Sequence, residues 1–389
     1  MIASTKTIYL DNHSTTLTDT RVATQVLQAM EVNFGNAHSI DHVIGDCAES
    51  VVKTATQQIA KLIQAAPTEI ILTSGATEGI NLAIQGTIKY LQKSGIKPHI
   101  AISNVEHKAV LDACHTLESQ KQIQLTLLPV NNKGNLDISQ LDALCAEGIH
   151  LLCIMAANNE VGTIYPIEKI ANIAQNYGIP FLCDATQSVG KIPIRFHDWG
   201  ITMLALSAHK LYGPKGVGAL IVRKDHPLEP IMYGGGHQRG LRPGTLNVPG
   251  IVGLGEACRL RQLEMETDEA AIAAKRDKLQ TLLCEKIPGL VINGDTTNRL
   301  AGNLHISIPG IPNSAVIARV RHKLAISTGS ACSSGVEAPS HVLTAMGLPE
   351  DVIEGALRIG LGKFTTDEDV LNAANILSTE IAQILELMQ

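Results

Sequence analysis

Residues 205–222 read ALSAHKLYGPKGVGALIV. The apolar run TMLALS (202–207) ends at Ser207, Lys210 follows, glycines come next, and a second apolar run, GVGALIV, fills 216–222. Short runs that are apolar on nearly every residue predict strands with both faces buried. A lysine just beyond the carboxyl end of such a strand stands where open α/β sheets bind their ligands. Taken alone, it reads as a solvated surface lysine.

The same texture extends outward. EIILTS (69–74), HIAISN (99–104), QLTLLPV (124–130), HLLCIMA (150–156) and IPFLCD (179–184) are further candidate strands. Helical patterns lie between many of them, such as 46–64, 78–93 and 167–176. This alternation predicts an α/β fold with a mostly parallel sheet covered by helices. We expect a large domain over 15–262 with seven strands, and a smaller α+β domain from 1–14 and 263–389, where runs such as LVING, AGNLHISI and LAISTG change the texture. The segment YGGGHQRGLRPGTLNVP (233–249) is too rich in glycine and proline to be regular. It is long for a loop, and long loops tend to be functional. A charged helical stretch over 251–284 follows it.

Composition narrows the function classes. A chain of 389 residues, 45% hydrophobic and 17% charged, holds ample core material for two domains. A net charge of −6 gives no footprint for nucleic acid or an anionic membrane. No apolar run reaches the length of a spanning helix, and the N-terminal MIASTKTIYLDN has no targeting pattern. We expect a cytoplasmic protein with no nucleic-acid or membrane partner. None of the eight cysteines stands in a C-x-x-C pair, so the spacing of a zinc site is missing. A disulfide framework is not expected in a large cytosolic chain. Cys153 and Cys183 lie in apolar runs and read as core fillers; all seven cysteines other than Cys332 read as structural. His38 and His42, four apart, imitate a helical metal pair without an evident third ligand, and we expect no metal.

Two features join Lys210. Asp184 ends IPFLCD, again at a carboxyl end, and the ends of nearby parallel strands lie side by side. A carboxylate and an amine facing one crevice fit pyridoxal 5'-phosphate: the lysine forms the Schiff base, and the aspartate keeps the ring nitrogen protonated so that the ring withdraws electrons from a substrate's α-carbon. Asp184 equally fits the N-cap of a helix opened by DATQ, and both roles are compatible. TSGATE (73–78) follows a strand and opens a helix. Its free amides and the Thr77 hydroxyl would seat a phosphate; a capped helix start is the alternative.

These residues resemble those of the cysteine desulfurases, pyridoxal-phosphate enzymes of the class V aminotransferase type with fold type I. The similar stretches are YLDNHSTT (9–16), FGNAHS (34–39), TSGATEGINLAI (73–84), NVEHKAVLDAC (104–114), NNEVGTI (158–164), DATQSVGK (184–191), SAHKLYGPKGVGAL (207–220), GGGHQRGLRPGTLNV (234–248), STGSACSSG (327–335) and ALRIGLGKFTT (356–366). Each is weak alone; in family order over nearly the whole chain they are very specific. The resemblance implies that Lys210 binds the cofactor and abstracts the substrate's α-proton. It implies that Asp184 pairs with the ring nitrogen and that His107 stacks on the ring, available to carry protons. It implies that Asn158 and Gln187 contact the phenolic oxygen or the substrate, and that Ala76, Thr77, Ser207 and His209 hold the phosphate. Thr245 would reach the phosphate of a neighbouring subunit, which requires a homodimer. Arg358 would grip the substrate carboxylate with its bidentate fork; alone, it reads as a surface arginine.

The resemblance also accounts for a cysteine inside STGSACSSG. Cys332 would be the nucleophile that takes sulfur from L-cysteine as a persulfide, leaving alanine, and glycine and serine in the sequence would let the chain swing to an acceptor. The spacing to GLGKFTT resembles the longer-loop group, which commonly feeds iron–sulfur cluster assembly. Two departures stand out. The chain ends soon after its last expected helix, so a C-terminal tail for docking a scaffold protein is not expected. His13-Ser14 replaces the more usual small or asparagine residues. The rival activities are a cystine or cysteine C–S lyase and a selenocysteine lyase.

Overall fold

The computed structural model describes residues 7–329 and 339–388. The chain enters through β1 (Ile8–Tyr9), passes along helices Thr20–Glu31 and Val43–Ile63, and then builds the main sheet from β2 (Ile70–Thr73), β3 (His99–Ser103), β4 (Gln124–Leu128), β5 (Leu151–Met155), β6 (Phe181–Asp184), β7 (Met203–Ser207) and β8 (Gly218–Val222). Seven strands lie in the order β2-β8-β7-β6-β5-β3-β4. The strands β3 to β7 pair in parallel, whereas β8 runs antiparallel to both β2 and β7. The reversal has a simple cause. Only residues 208–217 join β7 to β8, and a parallel return needs a crossover of about a dozen residues or more.

Apolar residues on both faces make this sheet a central layer. Leu152, Ile154, Cys183, Leu204 and Leu206 point into one core; their neighbours Leu151, Cys153, Leu182, Met203 and Ala205 point into the other. Helices Ala76–Lys93 and Lys108–Ser119 cover the second face, and Val43–Ile63, Ile138–Glu147 and Ile167–Asn176 cover the first. At the edge, the Gln238 amide donates to the Leu72 carbonyl (3.0 Å) and accepts from its N–H (2.6 Å), occupying backbone groups that would otherwise invite another strand. Gln238 sits in the only short helical turn of the segment 233–249, Gln238–Gly240.

The second core gathers around β9 (Val291–Ile292), β10 (Asn303–Ser307) and β12 (Ala356–Gly360), an antiparallel sheet in the order β12-β10-β9. β11 (Leu324–Ala325) pairs in parallel with β1 and brings Leu10 into this core. One helix of 39 residues, Val248–Lys286, joins the two cores: Ile251 and Leu254 pack in the first, Ile272, Leu279 and Leu283 in the second. It runs unbroken through residues 262 and 263. The short helix His341–Ala345 places Val342 and Leu343 back in the large core.

Five cysteines (Cys114, Cys145, Cys153, Cys183 and Cys258) are buried, and burial pushes each thiol up, Cys114 to about 12. Cys47 and Cys284 are exposed and fill no core.

Candidate active site

The carboxyl ends of β6 and β7, the start of helix Ala76–Lys93 and the strand β12 surround one cavity of about 660 Å³. Ala76, Thr77, His107, Asp184, Gln187, Ser207, His209, Lys210 and Arg358 all line it. Eight of these nine lie in the first-core unit; Arg358 comes from the second sheet, so the site needs both cores.

One end of the cavity is an anion seat. Helix Ala76–Lys93 begins at Gly75, which offers no side chain to its first-turn amides. Ala76, Thr77 and Ser207 line the cavity at this helix start, and the helix dipole adds positive potential there. The close approach depends on Gly218: a Cβ there would fall 2.5 Å from the Leu206 carbonyl oxygen and 2.7 Å from the Gly75 Cα. His209 stands nearby with Nδ1 3.1 Å from the Thr15 hydroxyl. Burial, then Lys210, Lys215 and Lys191, lower its pKa to about 4, so it is neutral at neutral pH.

Asp184 ends β6 with its carboxylate in the cavity wall. Its Oδ1 accepts from the Thr186 amide (3.0 Å) and from the Thr186 hydroxyl. No helix follows: residues 186–188 form a turn and Val189 bridges to Ile192, so the alternative of a helix N-cap is not realised. His107 caps helix Lys108–Ser119 instead, its Nδ1 accepting from Ala109 N–H at 3.1 Å. Burial and Lys210 and His341 lower its pKa against the pull of Asp184.

Lys210 follows β7 in a single helical turn, and its Nζ donates to the carbonyls of His13 (2.6 Å) and Ser14 (2.7 Å). Burial pushes the amine down to about 7, helped by Lys191 and Arg358 and opposed by Asp11 and Asp184. The unfolded chain's lysine titrates near about 10.4. Between these values the unfolded chain binds more protons, so stability rises with pH across that window. The penalty for burying Lys210 is therefore largest below about pH 7 and fades toward the unfolded value. Lys210→Met should raise the melting temperature of the cofactor-free protein near about pH 7 and flatten its rise toward about pH 10. A variant that melts no higher than wild type at the lower pH contradicts this burial account.

Arg358, 6% exposed, lines the same cavity. Its terminal nitrogens donate to the Asn159 carbonyl (3.1 Å), Asp11 Oδ1 (3.1 Å) and the Ser14 hydroxyl (2.5 Å), while its Nε has no partner among the described residues. A buried, fixed guanidinium in a cavity wall suits a carboxylate ligand. β12 also pairs with Ser327: the Arg358 amide donates to the Ser327 carbonyl at 2.7 Å. Gly329, two residues on, is part of the cavity wall and packs on Glu160. Cys332 itself lies outside the described residues.

Asn158 and Thr245 do not line this cavity. Asn158 is buried behind the wall, its Oδ1 accepting from the Glu160 (2.9 Å) and Val161 (3.0 Å) amides and its Nδ2 donating to the Val105 carbonyl (3.1 Å). It builds the turn, and the adjacent Asn159 faces the cavity instead. Thr245 is exposed and lines a separate small pocket with Thr73, Ser74 and Arg242. The sequence reading overlooked Glu106, which ties β3 to β5 beneath the site by accepting from Ser103 Oγ (2.6 Å) and Met155 N–H (2.9 Å). Burial raises its pKa to about 8. Lys191 was also overlooked; it donates to Gln187 Oε1 at 3.1 Å. Each lies inside a quoted stretch, NVEHKAVLDAC or DATQSVGK, but nothing local separates it from an ordinary surface charge. His38 stacks on His237 with centroids 3.9 Å apart, and His42 caps helix Val43–Ile63 through Nδ1.

Comparison with known proteins agrees with this geometry. The aminotransferase class V model matches residues 8–372. A protein named cysteine desulfurase IscS from Anaeromyxobacter is 42% identical over 382 residues, covering 98% of this chain and 94% of that one. The mitochondrial cysteine desulfurase of Arabidopsis thaliana is 40% identical, with 99% and 84% covered. Among solved structures, a NifS-like protein superposes with a TM-score of 0.90 at 34% identity, covering 97% of this chain and 99% of that one. SspA, solved in complex with cysteine, gives a TM-score of 0.78 at 34% identity, covering 92% and 100%.

Proposed function

The chain belongs to the aminotransferase class V family and, within it, to the cysteine desulfurases; from that premise we propose that its cavity holds pyridoxal phosphate and converts L-cysteine to alanine, with the sulfur passing to Cys332. The observation that carries the reading is that the Lys210 amine, an uncapped helix start, Asp184 and a buried arginine line one cavity. That donor set fits the cofactor: phosphate on the amides of Ala76 and Thr77 with Ser207 and His209, aldehyde on Lys210, ring nitrogen on Asp184, ring face on His107 and phenolic oxygen near Gln187. When bound, the cofactor supplies an electron sink that acidifies the substrate's α-carbon and weakens its Cβ–S bond.

The chain's own residues supply the rest. Arg358 fixes the substrate carboxylate, and the orientation given by Asp11, Ser14 and the Asn159 carbonyl keeps the guanidinium from wandering. The Lys210 amine, with its pKa near 7, is substantially neutral at neutral pH and able to accept the α-proton. The Cys332 thiolate then attacks the substrate sulfur: an S–S bond forms, the Cβ–S bond breaks, and its electron pair stays on carbon, which is protonated to give alanine. Cys332 is three residues beyond the wall residue Gly329. An extended chain spans about 3.6 Å per residue at most, which keeps the thiol within about 11 Å of that wall plus its own side-chain length.

We further propose a homodimer that works in the cytoplasm and passes its sulfur to an acceptor protein such as an iron–sulfur scaffold. Phe34, Ile40, Val43 and Tyr233 are 66%, 87%, 72% and 78% exposed, large apolar side chains of the kind that a second subunit covers. The exposed Thr245 supports the same assembly. The thiols need a reducing compartment, and the seven described cysteines are all free. Product analysis with L-cysteine and a reductant tests the reading. Alanine with sulfide is expected; pyruvate with ammonia would make the enzyme a C–S lyase instead.

A further inference from the structure

We propose that Lys191 is a positioning residue for the Lys210 amine: it turns the oxygen of the Gln187 amide away from that amine and leaves the NH2 end on its side. The inference rests on the reading of Lys210 as the amine that binds the cofactor and accepts the α-proton.

The residues form one hydrogen-bonded chain. Lys191 Nζ donates to Gln187 Oε1 at 3.1 Å. Gln187 Nε2 donates to the His13 carbonyl at 2.9 Å. Lys210 Nζ donates to the same carbonyl at 2.6 Å. Gln187 Nε2 and Lys210 Nζ share one acceptor, so they stand no further apart than those two bonds laid end to end. His13, Gln187 and Lys210 line the cavity, whereas Lys191 does not. Lys191 therefore reaches the amine through Gln187.

The chain fixes which way the amide points. An ammonium only donates, and a backbone carbonyl only accepts. Oε1 thus faces Lys191, and the NH2 end faces the His13 carbonyl. His13 Nδ1 also stands near Oε1, at the longer distance of 3.4 Å. The turn that carries Lys191 is itself held: Arg261, 1% exposed, donates through Nε to the Gly190 carbonyl at 2.6 Å. Burial lowers the Lys191 amine to about 8, which leaves it mostly an ammonium at neutral pH. Glu269 on helix Val248–Lys286 favours that charge, while Arg261 and Arg358 oppose it.

The consequence falls on the protonation of Lys210. Its Nζ has two acceptors among the described residues, the carbonyls of His13 and Ser14. A neutral amine has two N–H groups and a lone pair, so two carbonyls satisfy it; an ammonium has three N–H groups. An amide turned over would put Oε1 where Nε2 now stands, and an oxygen on that side favours the charged amine. Lys191 prevents this and so favours the neutral amine, the form that accepts a proton. Around the amine, Lys191 and Arg358 oppose its charge, and Asp11 and Asp184 favour it. His13, His107 and His209 are the histidines near by; burial above all lowers their pKa values, so they add no charge at neutral pH.

Trace acetylation of the cofactor-free, full-length protein across pH tests the proposal, read by mass spectrometry on the peptide that carries Lys210. Half-maximal labelling is expected at about pH 7 in wild type. In Lys191→Met the midpoint should rise by at least about half a pH unit. Part of that rise is the lost charge, which acts without the amide. The same substitution is therefore repeated on Gln187→Leu, where no amide remains to be turned, and there the rise should shrink by about half or more. Gln187→Met serves the same purpose if Gln187→Leu does not fold. An unmoved midpoint in Lys191→Met overturns the proposal, and so does a rise that shrinks by less than this. Pyridoxal phosphate added to wild type should block labelling of Lys210. Failure to block it defeats the underlying reading instead, and shows on the same peptide.

Discussion

Lys210→Ala will lose the visible absorption of the lysine-bound cofactor and lower alanine formation from L-cysteine by at least ~10³-fold, the scale associated with losing a positioned acid–base group. Two roles fail together in this variant. The covalent anchor disappears, and so does the amine whose pKa burial holds near 7. The phosphate seat should survive, because it is built from helix amides and from Thr77 and Ser207, none of which touches the lysine side chain through a hydrogen bond. Cofactor should therefore still bind, without the covalent link, and measurements of phosphate content and absorbance on the same sample will separate the two contributions. An unchanged visible spectrum removes Lys210 from the assignment.

Cys332→Ala has the second large effect, and a different signature. The cavity is formed without this side chain by the described residues, so cofactor content and its visible absorption should match wild type. Sulfur transfer needs the thiolate, whose loss has no substitute in the wall; the other described cysteines are two exposed ones outside the cavity and five buried ones with raised pKa. Alanine formation should fall by ~10³-fold or more. Alanine produced at the wild-type rate would assign the sulfur-accepting step to another group.

Most of the fold was legible because its signals are local. All seven apolar runs from EIILTS to GVGALIV became strands of one sheet, with ends trimmed by a residue or two. The antiparallel direction of β8 was equally written in the short link after β7, a length that admits no crossover helix. Site residues at strand and helix ends, Lys210, Asp184 and Thr77, followed from the same local pattern. Residues fixed by distant partners did not. Which of Asn158 and Asn159 faces the cavity depends on the turn that Asn158 closes with Glu160 and Val161. The surroundings of His13 depend on Gln187, Lys191 and Arg358, brought in from positions between 174 and 345 residues away. The continuity of Val248–Lys286 was read as a helix ending two residues sooner and beginning three later, and its task of joining two cores could not be seen from periodicity alone.

The central claim is that the Lys210 cavity strips sulfur from L-cysteine and places it on Cys332. Peptide mass mapping of the wild-type holoenzyme after brief exposure to L-cysteine, without reductant, tests it most directly. The account predicts one additional sulfur atom on the peptide carrying Cys332 and none on the peptides carrying the other seven cysteines. Additional sulfur found only on other peptides, or none on any peptide while L-cysteine is consumed, would contradict it.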